Sequence, residues 1–316
     1  MSKIFITGGS GFVGAHVART FVAEGHDVTV FGPSTEPCLS VEDLKEMKFL
    51  KGSIAEASAV SSAIGAIHPD VVIGLAAFGG TGNGLLASAA SDGAAAISVN
   101  VQGFRHLLSA CIELPVPPKV IWASTFAVFG PASAYPNGVA DETSPRKPES
   151  FYGLTKVLAE DLAGFFRDHQ GLAITGIRLP LVFGPGLWYN GVANQIRELF
   201  EIAVGSASTE LQLATEPIEL MYVKDVAKAF VHTANYNGSL DAIYNLTAFP
   251  SSPFAIAEEL HSILPKAEFQ IHPITTGESY SLVNGDKLRM ETGFIPDFNL
   301  TMACKDYIHE LVKTPR

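Results

Sequence analysis

The chain has little cysteine, little charge and few cations for its length. Its three cysteines, Cys38, Cys111 and Cys304, lie far apart in 316 residues and match no metal-ligand spacing. A disulfide framework and a cysteine-bound zinc are therefore not expected, and the thiols read as buried and reduced in a cytoplasmic protein. The nine histidines show no ligand pairing either. His106, on an otherwise apolar helix pattern, reads as structural, and no metal is expected. Charged residues make up only 17%, with 21 Lys and Arg against 32 Asp and Glu, a net charge of −11. Without clusters of Lys or Arg there is no cationic surface for nucleic acid or an anionic membrane, so the expected partner is a small-molecule substrate. No apolar run reaches the roughly 20 residues needed to cross a bilayer. The apolar run at 4–6 is also too short for the core of a signal peptide, and glycines follow it at once.

Apolar residues are plentiful, at 47%, and the mean hydropathy is +0.24. Such a chain can bury a sizeable core, which argues against disorder, and its length allows one large domain or two. Residues 3–7, 27–31, 48–51, 70–75, 119–123 and 174–178 read as strands, with helices at 15–24, 57–67, 92–113 and 150–169. Near-continuous apolar strands alternating with helices predict an α/β fold built on a doubly wound parallel sheet. After about residue 185 the strands shorten, with helices expected at 190–203 and 301–312 and strands at 211–215 and 220–223. The expected division is 1–180 for the sheet and 181–316 for a smaller substrate-binding lobe, some of whose segments return to the sheet. The Ala- and Gly-rich stretch 79–96 reads as a mobile loop leading into a helix.

The first strand is followed at once by Thr7-Gly8-Gly9-Ser10-Gly11-Phe12-Val13-Gly14, which opens the first helix. In that context the glycines let the backbone approach a pyrophosphate, whose charge meets free N–H groups and the positive end of the helix. The companion acid expected at the end of the second strand is missing, for the chain there reads Phe31-Gly32-Pro33-Ser34-Thr35. An acid would repel the 2′-phosphate of NADP and an arginine would bind it. With neither present, NAD and NADP both remain open.

Tyr152 and Lys156 stand four residues apart, on one face of a helix, and Ser124-Thr125 lies just past the strand at 119–123. With these come LAAFGG from Leu75, NVQG at 100–103, ASTFAVFG at 123–130, RLPLVFGPG from Arg178, MYVKDVA from Met221 and KLRMETGFIP near the end. Together they resemble the extended short-chain dehydrogenases/reductases, in the NAD-dependent epimerase/dehydratase group, over essentially the whole chain. The resemblance implies a Rossmann fold in which Tyr152 is the general acid/base and Thr125 hydrogen-bonds the reacting oxygen. Lys156 would lower the phenol's pKa and bond the nicotinamide ribose, while Ser124 would face the interior. It also implies a cofactor bed of Gly8, Gly11, Phe12, Val13, Gly14, Gly32, Ser53, Ile54, Leu75, Ala76, Ala77, Pro180 and Val182. A homodimer packed through the helices at 92–113 and 150–169 follows from the same likeness.

The departures from the family pattern bear on substrate. Phe126-Ala127 stand where sugar dehydratases carry Asp-Glu, so dehydration is not expected. Leu181 and Ile218 replace the Asn and Arg that hold a nucleotide diphosphate in the epimerases, with Glu216 and Glu219 nearby. Ser53 stands in place of the adenine-binding Asp. Pocket candidates are Phe78, Phe126, Trp188, Tyr189, Asn190, Met221 and Arg289, beside Thr125. The expected activity is NAD(P)-dependent interconversion of a secondary alcohol and a ketone on a small non-nucleotide substrate such as a sugar or sugar acid. Two alternatives stay open: a sugar or nucleotide-sugar epimerase with retained NAD, and a catalytically silent NAD(P)-sensing protein.

Overall fold

Strands of a parallel sheet are covered on both faces, and the short apolar runs of this chain suit that setting: Ile4, Phe5, Ile6, Val30, Val72 and Ile73 are all fully buried. The computed structural model describes residues 1–79, 82–191, 193–205, 209–267, 269–277 and 280–313. Its elements run β1 (Lys3–Thr7), α1 (Phe12–Ala23), β2 (Asp27–Gly32), α2 (Asp43–Glu46), β3 (Lys48–Lys51), α3 (Ala57–Ile67), β4 (Val71–Gly74), α4 (Leu85–Ser91) and α5 (Gly93–Ile97). A π-helical turn over Ser98–Gly103 leads into α6 (Phe104–Ile112), β5 (Lys119–Thr125), β6 (Val139–Ala140), α7 (Phe151–Gln170), β7 (Ile174–Leu179) and β8 (Leu181–Phe183). Then come α8 (Asn194–Val204), β9 (Thr209–Ala214), β10 (Ile218–Tyr222), α9 (Val223–Asn235), β11 (Ile243–Asn245), β12 (Phe249–Ser251) and α10 (Pro253–Ile263). β13 (Phe269–Ile274), β14 (Leu282–Val283), α11 (Asp286–Thr292) and α12 (Leu300–Lys313) complete the order.

Seven strands form one parallel sheet in the order β11-β7-β5-β4-β1-β2-β3. Strand order reverses direction between β1 and β4, and the carboxyl edge at such a switch point is where ligands of doubly wound sheets bind. α1 and α9 cover one face, packing Val17, Phe21, Val226 and Phe230 on Ile4, Ile6 and Val28. α3, α6 and α7 cover the other, with Ile64, Leu107, Leu108 and Phe166 on Phe5, Val72 and Trp122. A third core, built on Phe183, Phe200, Tyr222, Leu260 and Tyr307, belongs to the lobe.

Three expectations change. The stretch 79–96, expected as a loop, carries α4 and α5, the latter capped by Asp92 through a 2.9 Å bond from the Ala95 amide; residues 80–81 of the stretch lie outside the described residues. The expected helix at 92–113 is interrupted by the π turn, where buried Asn100 accepts from Phe78 N at 2.7 Å and donates to Thr155 Oγ1 at 3.0 Å. The strand expected at 220–223 ends at Tyr222 because the chain turns directly into α9, which with β11 returns to the sheet.

Asp225 in the first turn of α9 is 1% exposed and accepts from the amides of Asp297 (2.8 Å) and Phe298 (3.0 Å), tying the sheet's covering helix to the segment entering α12. Asp225→Ala strands both amides. The expected cost is about 3 kcal/mol, with a thermal midpoint lower by about 5 °C or more, read by calorimetry; an unchanged midpoint contradicts this role.

Candidate active site

The turn after β1 closes so tightly that only glycine fits. Gly8 has φ of +73°, and a Cβ on Gly14 would stand 2.1 Å from the Gly8 carbonyl oxygen. Gly11 caps α1 without a side chain, and the amides of Phe12, Val13 and Gly14 in the first turn have no acceptor within the helix. The Thr7 hydroxyl beside them is buried without a partner. Leu75 and Ala76 pack on the turn, for a Cβ on Gly8 would meet their backbone at 2.7 Å. Ala77 follows them, ahead of Phe78. Gly32 ends β2, Ile54 is buried against Gly103, and Ser53 Oγ accepts from Ala55 N at 3.2 Å. Pro180 and Val182 follow β7, Val182 pairing with Met221. This cradle of amides and small residues fits a dinucleotide's pyrophosphate. Arg19 is not free for a 2′-phosphate: its Nε and Nη2 bond Asp43 at 2.8 and 2.7 Å, which holds that carboxyl down at about 2.

Two strands away, the end of β5 meets the start of α7. Ser150 caps α7 by accepting from Gly153 N at 3.0 Å, and a Cβ on Gly153 would stand 2.1 Å from the Ala127 carbonyl oxygen. That close approach sets Tyr152 beside Thr125, whose hydroxyl bonds the phenol and also accepts from Ala127 N at 3.2 Å. Tyr152 and Lys156 are each 5% exposed. Lys156 Nζ donates to Ala123 O at 2.9 Å and lies 5.9 Å from the centre of the Tyr152 ring. Burial pushes Lys156 down to about 8, against the pull of the Glu160 charge. Burial, reinforced by Tyr189, pushes the Tyr152 phenol up, and the Thr125 bond only partly opposes it. In this pocket burial is the largest influence on the phenol, which is neutral at neutral pH.

Other expected residues distribute unevenly around this pair. Phe78 packs with Leu85, Ala127 and Tyr152. Phe126 turns toward Phe129, 6.3 Å between ring centres. Trp188 is 39% exposed and packs edge-on against Tyr189 at 5.6 Å, while Asn190 N donates to Gly82 O at 2.7 Å. Residues 185–191 form a strap over the first turns of α1 and the segment after β2: His16 Nε2 lies 2.9 Å from Pro185 O, Cys38 Sγ donates to Gly186 O at 3.5 Å, and Leu187 packs on Phe12. Met221 and Arg289 are not brought to Tyr152. Met221 is fully buried beneath α1 and α9. Arg289 is bound to Asp286 at 2.7 Å and lines a separate cavity of about 510 Å³ with Phe249 and Phe298.

Ser124 does face the interior, donating to Glu160 Oε1 at 2.6 Å. Glu160, Arg178 and Asn100 join the site; Asn100 and Arg178 open two of the family motifs, but none of the three was given a role from sequence. The four-residue spacing from Lys156 to Glu160 was the available signal for one of them. Among the described residues no helix is long and apolar enough to cross a membrane, and no three side chains are placed to hold a metal.

The NAD dependent epimerase/dehydratase family model matches residues 4–247. The chain is 23% identical to UDP-glucuronate 4-epimerase 1 of Arabidopsis thaliana, spanning 97% of this chain and 76% of that protein. The UDP-glucose 4-epimerase of Thermus thermophilus, solved in complex with NAD, superposes with a TM-score of 0.82 at 24% identity, over 98% of this chain and 99% of that one. An L-threonine dehydrogenase of Clostridium difficile superposes with a TM-score of 0.84 at 20% identity, over 99% and 98%. These two likenesses establish the Rossmann fold. Of the two cofactors left open by the end of β2, the family match selects NAD. Because the matched span holds the glycine turn, Thr125, Tyr152 and Lys156 together, the chain belongs to the NAD dependent epimerase/dehydratase family, an enzyme of the extended short-chain dehydrogenase/reductase type.

Proposed function

We propose that this enzyme interconverts a secondary alcohol and a ketone on a small substrate without a nucleotide, such as a sugar or sugar acid, with net turnover of NAD. The observation that carries the reading is the cluster of Thr125, Tyr152 and Lys156 at the carboxyl end of β5, beside the dinucleotide turn. Bound NAD supplies the hydride exchange at the carbinol carbon. Thr125 orients the reacting oxygen by a hydrogen bond. The neutral Tyr152 phenol donates a proton to a carbonyl oxygen in the reducing direction. In the oxidising direction the phenol must first lose its proton, and the Lys156 ammonium stabilises the phenolate.

The lobe supports a substrate without a diphosphate. Leu181 pairs with Leu220 in the lobe sheet, Ile218 is partly buried there, and Glu219 is buried two residues before Met221. Arg289 is paired with Asp286 and lines a separate cavity, so it offers no charge-assisted clamp beside Tyr152. One observation favours a second reading, epimerisation with retained NAD: the strap at 185–191 is held to Phe12 and His16 of α1 and to Cys38, next to the cofactor turn, which would help to retain a bound cofactor.

A homodimer is part of the proposal. α7 presents Phe151, Leu154, Leu158 and Phe165 to solvent at helical spacing, 38–52% exposed, an apolar stripe suited to a copy of itself. Light scattering is expected to give a dimer mass, and Leu154→Glu combined with Leu158→Glu a monomer. A monomeric parent chain contradicts the interface.

Tyr152→Phe is expected to lower kcat about a thousandfold while the Kd for NAD, measured by titration, stays within a few-fold. Unchanged turnover contradicts the assignment. For pH dependence, Lys156 is cationic below its value of about 8 and loses its charge above it. Turnover in the reducing direction, where the neutral phenol is the donor, is therefore expected to fall as pH rises through about 8; a profile that stays level to about pH 10 contradicts a need for the cation.

A further inference from the structure

Tyr152, Lys156 and Glu160 follow one another at four-residue intervals on α7, and each meets one of three consecutive residues of β5. Ala123 O accepts from Lys156 Nζ at 2.9 Å, Ser124 Oγ donates to Glu160 Oε1 at 2.6 Å, and Thr125 bonds the Tyr152 phenol. The Glu160 side chain is only 7% exposed and accepts three further bonds, from Arg178 Nε and Nη2 at 2.8 Å each and from Arg146 Nη1 at 3.3 Å. Arg178 is itself 3% exposed, stands opposite Ser124 in the sheet register, and lays its guanidinium 4.9 Å from the Phe129 ring centre.

We propose that Glu160 is a positioning residue for the Tyr152–Lys156 pair: anchored by Arg178, Arg146 and Ser124, it locks the register of α7 on β5 and places a negative charge one helical turn behind the Lys156 ammonium. This rests on Tyr152 and Lys156 being the proton-handling pair. An ion pair this deeply buried contributes little net stability over an apolar pair of the same volume. Its value lies in placement, since a shift of about 1 Å at reacting groups costs about a hundredfold in rate. The charged and titratable groups that meet this cluster are Tyr152 beside Lys156 and Glu160 one turn on along α7, Arg178 on β7 and Arg146 on the segment before α7 at Glu160, and Tyr189 of the strap at Tyr152. Of these, Glu160 is the charge that raises the ammonium against the effect of burial.

The test compares Glu160→Gln, the double variant Glu160→Gln/Arg178→Met, and Glu160→Asp, with Tyr152→Phe assayed beside them. The double variant leaves no stranded guanidinium at 178 and is the one to read if Glu160→Gln does not fold. Readouts are kcat and KM across pH, and NAD affinity by titration. Loss of the Glu160 charge is expected to lower kcat at least about tenfold and to move the alkaline limb down by about one pH unit. KM and NAD affinity stay within a few-fold, and Glu160→Asp restores the limb. A folded double variant with the parent's kcat and alkaline limb overturns the proposal. If Tyr152→Phe is inactive in that same experiment, only the positioning role falls; if Tyr152→Phe keeps full turnover, the reading of the pair falls with it.

Discussion

Three consecutive residues at the end of β5 hold three residues of α7 in turn, Ala123 to Lys156, Ser124 to Glu160 and Thr125 to Tyr152, and the chemistry of the molecule depends on that register. A helix can slide or roll on a sheet when only apolar side chains hold it, because hydrophobic contact has no direction. Hydrogen bonds to a strand edge do have direction. The Gly153 contact with the Ala127 carbonyl sets the height at which α7 begins, and the Glu160–Arg178 pair pins it one turn beyond Lys156. In the sheet β4 separates β5 from β1, so the end of β5, where Thr125 meets Tyr152, lies about two strand spacings, about 10 Å, from the end of β1 that leads into the phosphate turn. The sheet thus sets how far the reacting groups stand from the cofactor's anchor.

Burial gives this arrangement its chemical bias. Excluding water raises the Tyr152 phenol and lowers Lys156, so at neutral pH the phenol is neutral and the lysine is still an ammonium, close to the pH at which it loses its charge. Segments from both parts of the chain produce that exclusion. Phe78 and Leu85 cover Tyr152 from the sheet's side, and the strap at 185–191 crosses from α1 to the 82–84 turn on the lobe's side. The strap leans on His16, Cys38 and Phe12, residues next to the phosphate cradle, so cradle and lobe bear directly on each other.

Much of this was legible in the sequence because it rests on local patterns. The strands from 3–7 to 174–178 are nearly continuous apolar runs, and the glycine turn and the Tyr-Lys spacing are short motifs whose meaning comes from the elements beside them. The π turn was hidden because it depends on Asn100 bonding two distant partners, Phe78 and Thr155. α9 and β11 were obscured because they follow a short lobe strand without a break and find their partners, α1 and β7, far back in the chain. Arg289 is a cation in a family motif near the end of the chain, yet its position is set by Asp286 one helical turn away. The balance of pKa at Tyr152 depends on how completely the pocket is closed, which spacing alone does not reveal.

The central claim, net alcohol–ketone chemistry at Tyr152, is tested most directly by absorbance at 340 nm as the purified protein is mixed with NADH and a panel of sugar ketones and keto acids. The account predicts at least one substrate that consumes NADH mole for mole as the carbonyl is reduced. Stereochemical inversion of a sugar or nucleotide sugar with no net change at 340 nm would contradict it, and would make the enzyme an epimerase that keeps its cofactor.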